Sequence, residues 1–409
     1  MKLHLLLLLL LPVLAHAKVI HKKPRKAQIE AAPNPLDLDK DVIRFPGSSS
    51  LLVNAKQAFL MDYNTGVVLL EKNADQPMAP SSMTKMLTSY IIEEKLQKKE
   101  LSLDTAFPVS EKAWRTEGSK TFVPLGAMMK LGDILSGIII QSGNDACVVA
   151  AEGIAGGEVQ FAALMNAKAK ELGLLNTRLL NSHGLYVEGH QSTARDMANL
   201  GAAIIKHHPE YYSEYQKKDF TFNNIKQGNR NPLLYGNEKN GCDGIKTGHT
   251  DMGGYGAVLS CVDASNQRYI LSFNGLRSVQ QRADEARKYL AWARENFEGR
   301  IFLKKGDILE PALKVKYGLK PTVRLAVRDE VRVLALRTDQ NAPVKRLELN
   351  DSIIAPIKEG DVLGKVHVAV NGKDIKADLI SLDASEKMGI FKQALSYIKS
   401  KLSFLGLDA

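Results

Sequence analysis

The hydrophobic period of this chain changes near residue 300, and that change limits the folds open to it. Before it, apolar runs at 58–61 and 67–70 flank Asn64-Thr65-Gly66, which predicts a hairpin. Met83, Met86, Leu87, Tyr90 and Ile91 then recur at helical spacing, and so do Leu131, Ile134, Leu135, Ile138 and Ile139. A further helix is expected over 159–172. Strand patterns return after Gly244, at 255–262 and 269–273, and a charged amphipathic helix follows at about 280–297. Strands from the two ends of this region are expected to pair in one antiparallel sheet with helices packed on it, an α+β arrangement. From Ile301 the period is two: Val323, Leu325 and Val327 alternate with charged residues, and Val366, Val368 and Val370 lead into Asn371-Gly372. That pattern predicts a small all-β domain of antiparallel strands, a spacer or docking module.

The two ends carry different signals. Lys2, the apolar run from Leu5 to Leu11 and Ala15-His16-Ala17 read as an export signal at 1–17, cleaved after Ala17. Its apolar run is too short to cross a bilayer of roughly 30 Å. A basic linker is expected at 18–48, with structure starting near Leu51. The two folded parts are then 49–300 and 301–383, consistent with 409 residues. In the tail, 384–409, Phe391, Ala394, Leu395, Ile398, Leu402 and Leu405 fall on one helical stripe with lysines off it. A basic amphipathic helix at a chain end suits a membrane surface. The formal net charge of +10 suits anionic lipid or wall polymer. No nucleic-acid-binding signature is present. Cys147, Cys242 and Cys261 are an odd set, so at least one thiol stays free in an oxidising compartment, and a core rather than a disulfide framework must hold the fold.

The chemistry is carried by three short motifs. Ser82-Met83-Thr84-Lys85 puts a hydroxyl and an amine at i and i+3, on one face of a helix, so the amine can reach the hydroxyl. Alone this is weak, because Ser396-Tyr397-Ile398-Lys399 repeats it in the tail. Ser142-Gly143-Asn144 follows about 60 residues after Ser82, and Lys246-Thr247-Gly248, with His249-Thr250, follows about 100 residues later. That order is the penicillin-binding signature, with Gly143 where the middle motif usually has Asp.

With these motifs the chain resembles the type-5 low-molecular-mass penicillin-binding proteins, serine D-alanyl-D-alanine carboxypeptidases, from about Leu51 to the C-terminus. The region from Asn181-Ser-His-Gly-Leu185 through Ser192-Thr-Ala-Arg-Asp196 resembles that family's loop at the floor of the active site. The resemblance implies a β-lactamase/transpeptidase-like catalytic domain followed by the β domain and the terminal helix. It implies a periplasmic hydrolase of peptidoglycan pentapeptide, peripherally attached to the outer face of the cytoplasmic membrane and inhibited by β-lactams. Ser82 is the implied nucleophile and Lys85 its base, neutral at working pH through partial burial and the charge of Lys246. Ser142 relays the proton to the leaving amine and Asn144 holds the substrate amide. The backbone N–H groups of Ser82 and His249 serve as oxyanion donors. Thr247 and Lys246, on the strand that includes Gly248, receive the substrate carboxylate, and Arg230, in Gly228-Asn229-Arg230-Asn231, helps to bind it. No cofactor and no metal are called for.

Two other readings compete. A class A β-lactamase needs Glu-x-x-x-Asn to hold its deacylating water. Glu171 to Asn176 is one residue too long, and Glu188 has no Asn four residues on. A non-catalytic wall-binding scaffold would leave the complete motif set without a use.

Overall fold

The computed structural model describes residues 42–235, 241–339, 343–370 and 373–393. The export signal, residues 18–41 of the linker and most of the terminal helix lie outside them.

The first part opens with three strands, β1 (Val42–Arg44), β2 (Gln57–Asp62) and β3 (Val68–Lys72), then a 3-10 turn at Ser81–Thr84 that runs into α1 (Lys85–Gln97). The short strands β4 (Ala106–Pro108) and β5 (Met128–Lys130) flank α2 (Glu111–Arg115). Four helices follow: α3 (Leu131–Ile139), α4 (Asn144–Ala155), α5 (Glu158–Glu171) and α6 (Ala194–His207). A second short hairpin, β6 (Asp219–Phe222) and β7 (Ile225–Gly228), precedes β8 (Cys242–Thr250), β9 (Gly254–Val262), β10 (Arg268–Leu276) and α7 (Val279–Asn296). The main strands form one six-stranded sheet in the order β1-β3-β2-β10-β9-β8, antiparallel throughout.

Both faces of that sheet are covered, which is why β2 reads as a continuous apolar run rather than an alternation. Phe59, Met61, Ile245, Val258 and Ile270 point into the helical layer. Ala58, Leu60, Leu259, Leu271 and Phe273 point at α7, against Ala286, Tyr289, Leu290 and Ala293. Helix α1 lies inside the helical layer and is buried nearly all round, so even Lys85 and Glu93 are closed off from solvent.

The structured chain begins earlier than expected. Val42–Arg44, inside the predicted linker, pairs with β3, because β3 would otherwise be an exposed edge. The change of period near 300 is matched by β11 (Phe297–Leu303), which pairs with β14 (Val331–Leu336) and starts directly after α7. A five-stranded antiparallel sheet follows, in the order β12 (Ile308–Lys314), β13 (Thr322–Val327), β17 (Lys373–Ser381), β16 (Val362–Val370), β15 (Val344–Leu349). The Asn371-Gly372 turn is outside the described residues, but Val370 pairs with Lys373 as a tight hairpin requires.

One boundary moves at the other end. Residues 385–388, expected to begin the terminal helix, belong to the β domain: Ser385 bridges Ile357, Lys387 bridges Gly318, and Met388 N–H donates to Tyr317 O. The Ser385 hydroxyl donates to Lys320 O, which fixes this extended path. Helix begins only at Ile390. Among the described residues no single helix is long and apolar enough to cross a membrane.

Candidate active site

Sequence-distant motifs converge where the start of α1, the start of α4 and the middle of β8 meet. Ser82 lies on the 3-10 turn, three residues before the start of α1, and is half-buried, while Lys85 is fully buried. Lys85 Nζ is 2.9 Å from Ser82 Oγ, 2.7 Å from Asn144 Oδ1 and 2.5 Å from the His183 carbonyl oxygen. Burial lowers the pKa of Lys85 to about 8, and the charge of Arg230 works in the same direction. Two particulars differ from the sequence expectation: burial is complete rather than partial, and the depressing cation is Arg230 rather than Lys246.

A neutral amine has two N–H bonds and one lone pair. With Asn144 Oδ1 and His183 O accepting the two hydrogens, the lone pair is left for the Ser82 hydroxyl. This is the geometry a general base requires. Asn144 also donates from Nδ2 to Glu117 O at 2.7 Å, so both ends of its amide are engaged by the protein, one of them on Lys85.

Ser142 has φ 60, a left-handed backbone that few non-glycine residues adopt, and its buried hydroxyl has no hydrogen-bond partner among the described residues. A strained residue holding an unpartnered buried hydroxyl is an arrangement kept for function rather than stability. Gly143 stands where Asp is usual because there is no room: a Cβ there would collide with the Thr121 hydroxyl and meet Asp145 Oδ1 at 2.9 Å.

Strand β8 brings Lys246, Thr247 and Gly248, all buried, alongside the turn that holds Ser82. Gly248 allows that approach: an added Cβ would lie 3.0 Å from Pro80 O and 3.2 Å from Ser81 Cβ. The contact is completed by Ser81 Oγ and Thr250 Oγ1 at 3.0 Å. Lys246 is held well below the usual lysine range, first by burial and then by Lys85 and Arg230. His249 is exposed and stacks on Tyr255 at 3.9 Å. Arg230 donates to Ser119 Oγ at 2.6 Å and makes no ion pair among the described residues.

The reading of the sequence missed several supports. The Lys85 acceptor at His183 is a backbone carbonyl and has no side-chain signature. Arg282, on α7, is buried; its Nη2 donates to Arg230 O at 3.3 Å and its guanidinium lies 5.8 Å from the Tyr255 ring. Lys246, Arg230 and Arg282 thus gather around the site without an ion pair among the described residues, a setting that favours an anion. Residues 181–185 do reach the site. Residues 192–196 instead start α6: Thr193 caps the helix by accepting from Asp196 N–H, and Arg195 pairs with Glu71 and Asp75.

With that geometry in view, the comparisons decide the family. Residues 46–273 match the D-alanyl-D-alanine carboxypeptidase family model, and residues 297–387 match the C-terminal domain of penicillin-binding protein 5. The chain belongs to the D-alanyl-D-alanine carboxypeptidase family. Within it, the chain is a type-5 low-molecular-mass penicillin-binding protein. It is 38 % identical to the D-alanyl-D-alanine carboxypeptidase DacA of Haemophilus influenzae, over 83 % of this chain and 87 % of that one. It is 37 % identical to DacC of Escherichia coli, over 85 % and 88 %. Among solved structures, penicillin-binding protein 5 from Haemophilus influenzae superposes with a TM-score of 0.72 at 37 % identity, covering 83 % of this chain and 100 % of that one. Penicillin-binding protein D2 from Listeria monocytogenes, solved with ampicillin and with cefotaxime bound, is 26 % identical with a TM-score of 0.55, covering 60 % of this chain and 100 % of that one.

The β-lactamase alternative loses its one candidate. Glu171 sits at the end of α5 and pairs with Lys168, beside a cavity of 980 Å³ that also touches Asp329, Arg332 and Lys376 of the β domain and contains none of the motif residues. Among the described residues no cluster of His, Cys, Asp and Glu is placed to hold a metal ion.

Proposed function

We propose that this chain removes the terminal D-alanine from peptidoglycan pentapeptide stems through an acyl-enzyme on Ser82. The observation that carries the reading is the contact of Ser82 Oγ with a buried amine whose other two positions are already taken.

The steps follow from the groups present. The substrate carboxylate is drawn to the cation cluster and to the Thr247 hydroxyl, with Arg230 at its outer side. Ser82 Oγ forms a bond to the carbonyl carbon of the penultimate D-alanine while its proton passes to Lys85. The negative charge that develops on the carbonyl oxygen falls to the N–H groups of Ser82 and His249; losing one such donor typically costs about 10²–10³ in rate. The C–N bond then breaks, and the amine leaves with a proton carried through Ser142. Water cleaves the resulting ester with Lys85 again as base. A β-lactam presents the same amide to Ser82, but its leaving group stays tethered.

The mature chain is read as exported by residues 1–17, with its catalytic and β domains meeting near residue 300. It is read as held to the outer face of the cytoplasmic membrane by the terminal helix. Support for the last point is the helix start at Ile390, where Ile390 is 83 % and Phe391 93 % exposed, an unfavourable place for both side chains in water.

Mass spectrometry of the mature protein with a labelled penicillin tests the centre of this reading. The expected result is one adduct on the peptide holding Ser82, none in Ser82→Ala, and D-alanine release from a pentapeptide by the wild type alone. Rapid turnover of the penicillin without a lasting adduct would restore the β-lactamase reading.

A further inference from the structure

Of the three hydrogen-bond partners of Lys85, Ser82 and Asn144 are fixed by their elements, and the His183 carbonyl needs a support of its own. His183 is on an irregular loop, and a carbonyl on a loop directs a base only if the loop cannot move. Several contacts hold its first half. Thr88 Oγ1 donates to Ser182 O at 2.6 Å, Ser182 N–H donates to Glu158, and Asn181 Oδ1 accepts from Gly184 N–H at 2.7 Å. Gly184 has φ +87, and any Cβ would strike Ser81 O, so the loop lies directly on the catalytic turn.

The far end of the loop returns to the same turn at one residue. His190 is 2 % exposed. Its Nδ1 accepts from Leu180 N–H at 3.1 Å, and its Nε2 is 2.9 Å from Thr84 Oγ1. A backbone N–H can only donate, so Nδ1 carries no hydrogen and Nε2 carries it, donating to Thr84. One neutral ring therefore ties together the start of the loop, its end, and the residue that precedes Lys85 in the Ser82–Lys85 motif.

We propose that His190 is a positioning residue for the general base: by stapling Leu180 and Thr84 it holds the His183 carbonyl in place to orient the Lys85 amine. His190 touches no reacting atom. Its effect passes through the loop to one of the two hydrogens of the amine, and so to the direction of the lone pair. The inference rests on the proposed role of Lys85 as base toward Ser82.

The two ring bonds can be separated. In His190→Asn, the amide oxygen takes the place of Nδ1 and keeps the Leu180 bond. In His190→Gln, the amide nitrogen reaches the place of Nε2 and keeps the Thr84 bond. His190→Ala loses both. With a chromogenic penicillin, pre-steady-state measurement separates initial binding from the acylation rate constant. Misplacing a base by a fraction of an ångström to an ångström costs on the order of 10–100-fold in rate. The expected result is that His190→Ala acylates about 10–100-fold more slowly with initial binding within about twofold, and that the Asn and Gln variants fall between it and the wild type. Acylation by His190→Ala at the wild-type rate overturns the proposal, and so does loss of binding and rate together in all three. If the alanine variant does not fold, the folded Asn and Gln variants decide: wild-type rates in both overturn the staple, slower acylation in both supports it. A wild type that forms no Ser82 adduct at all overturns the proposed function instead, so the two failures are distinct.

Discussion

The charge on one buried amine governs the chemistry at the scale of single residues. Burial brings Lys85 down to about 8, and Arg230 adds to the effect. Cys147 opposes it only as a thiolate, and burial pushes that thiol up to about 12, so near neutral pH it is uncharged. The sign for activity follows. Lys85 acts as a base only when deprotonated, so the acylation rate constant should rise about tenfold per pH unit below about 8 and level off above it. Arg230→Gln should move the inflection upward, because a depressing cation is gone. Stopped-flow acylation across this range checks both, and a flat profile would remove Lys85 from the role. Ser82, Lys85, Asn144 and Lys246 are legible in the sequence because the proposed roles belong to their side chains, and the i, i+3 spacing of Ser82 and Lys85 survives folding. His183 works through its backbone, and His190 reads in one dimension as an ordinary core histidine. The family resemblance marks their loop as the floor of the site, but it does not single out either residue until the loop is seen lying on the turn.

Elements differ in the same way. The helical spacing of apolar residues is legible on both α1 and α3, because polar positions such as Glu94 and Lys95 on α1 and Asp133 on α3 stay only partly buried. Strand β8 was only partly legible, since glycines, a lysine and a threonine give no strand alternation; its conformation is imposed by pairing with β9. That pairing also places Cys242 opposite Cys261, and the two form a disulfide. Composition alone required only that at least one of the three thiols be free, and that thiol is Cys147; which two pair is a matter of register. The bridge closes a chain segment with a sequence separation of 19 and pins the N-terminal end of the edge strand that carries Lys246. In a chain-entropy account a loop of this size contributes about 3 kcal/mol. Replacing both cysteines by serine should therefore lower the unfolding free energy by about that amount in denaturant titrations, with the adduct on Ser82 still formed at low temperature. An unchanged midpoint would mean that the sheet alone fixes β8.

For the whole molecule the question is how a catalytic domain is presented to its polymer. The β domain separates the sheet-and-helix domain from the terminal segment, and its last described residues end in a helix whose first turn exposes Ile390 and Phe391. The six apolar residues that the sequence spaces for one helical stripe, from Phe391 to Leu405, would at about 1.5 kcal/mol each give at most ~9 kcal/mol on a membrane surface, before the cost of ordering a helix. Each lysine near an anionic surface adds about 1 kcal/mol that salt screens. Attachment of this strength is reversible, unlike a spanning helix. The mature chain should therefore sediment with vesicles containing anionic lipid at low ionic strength, bind less as salt rises, and bind neutral vesicles weakly. Deleting residues 390–409 should abolish sedimentation and leave penicillin acylation of Ser82 unchanged, because residues 385–388, which complete the β domain, are kept. Vesicle binding that survives the deletion, or that is indifferent to salt and lipid charge, would place the attachment elsewhere on the protein.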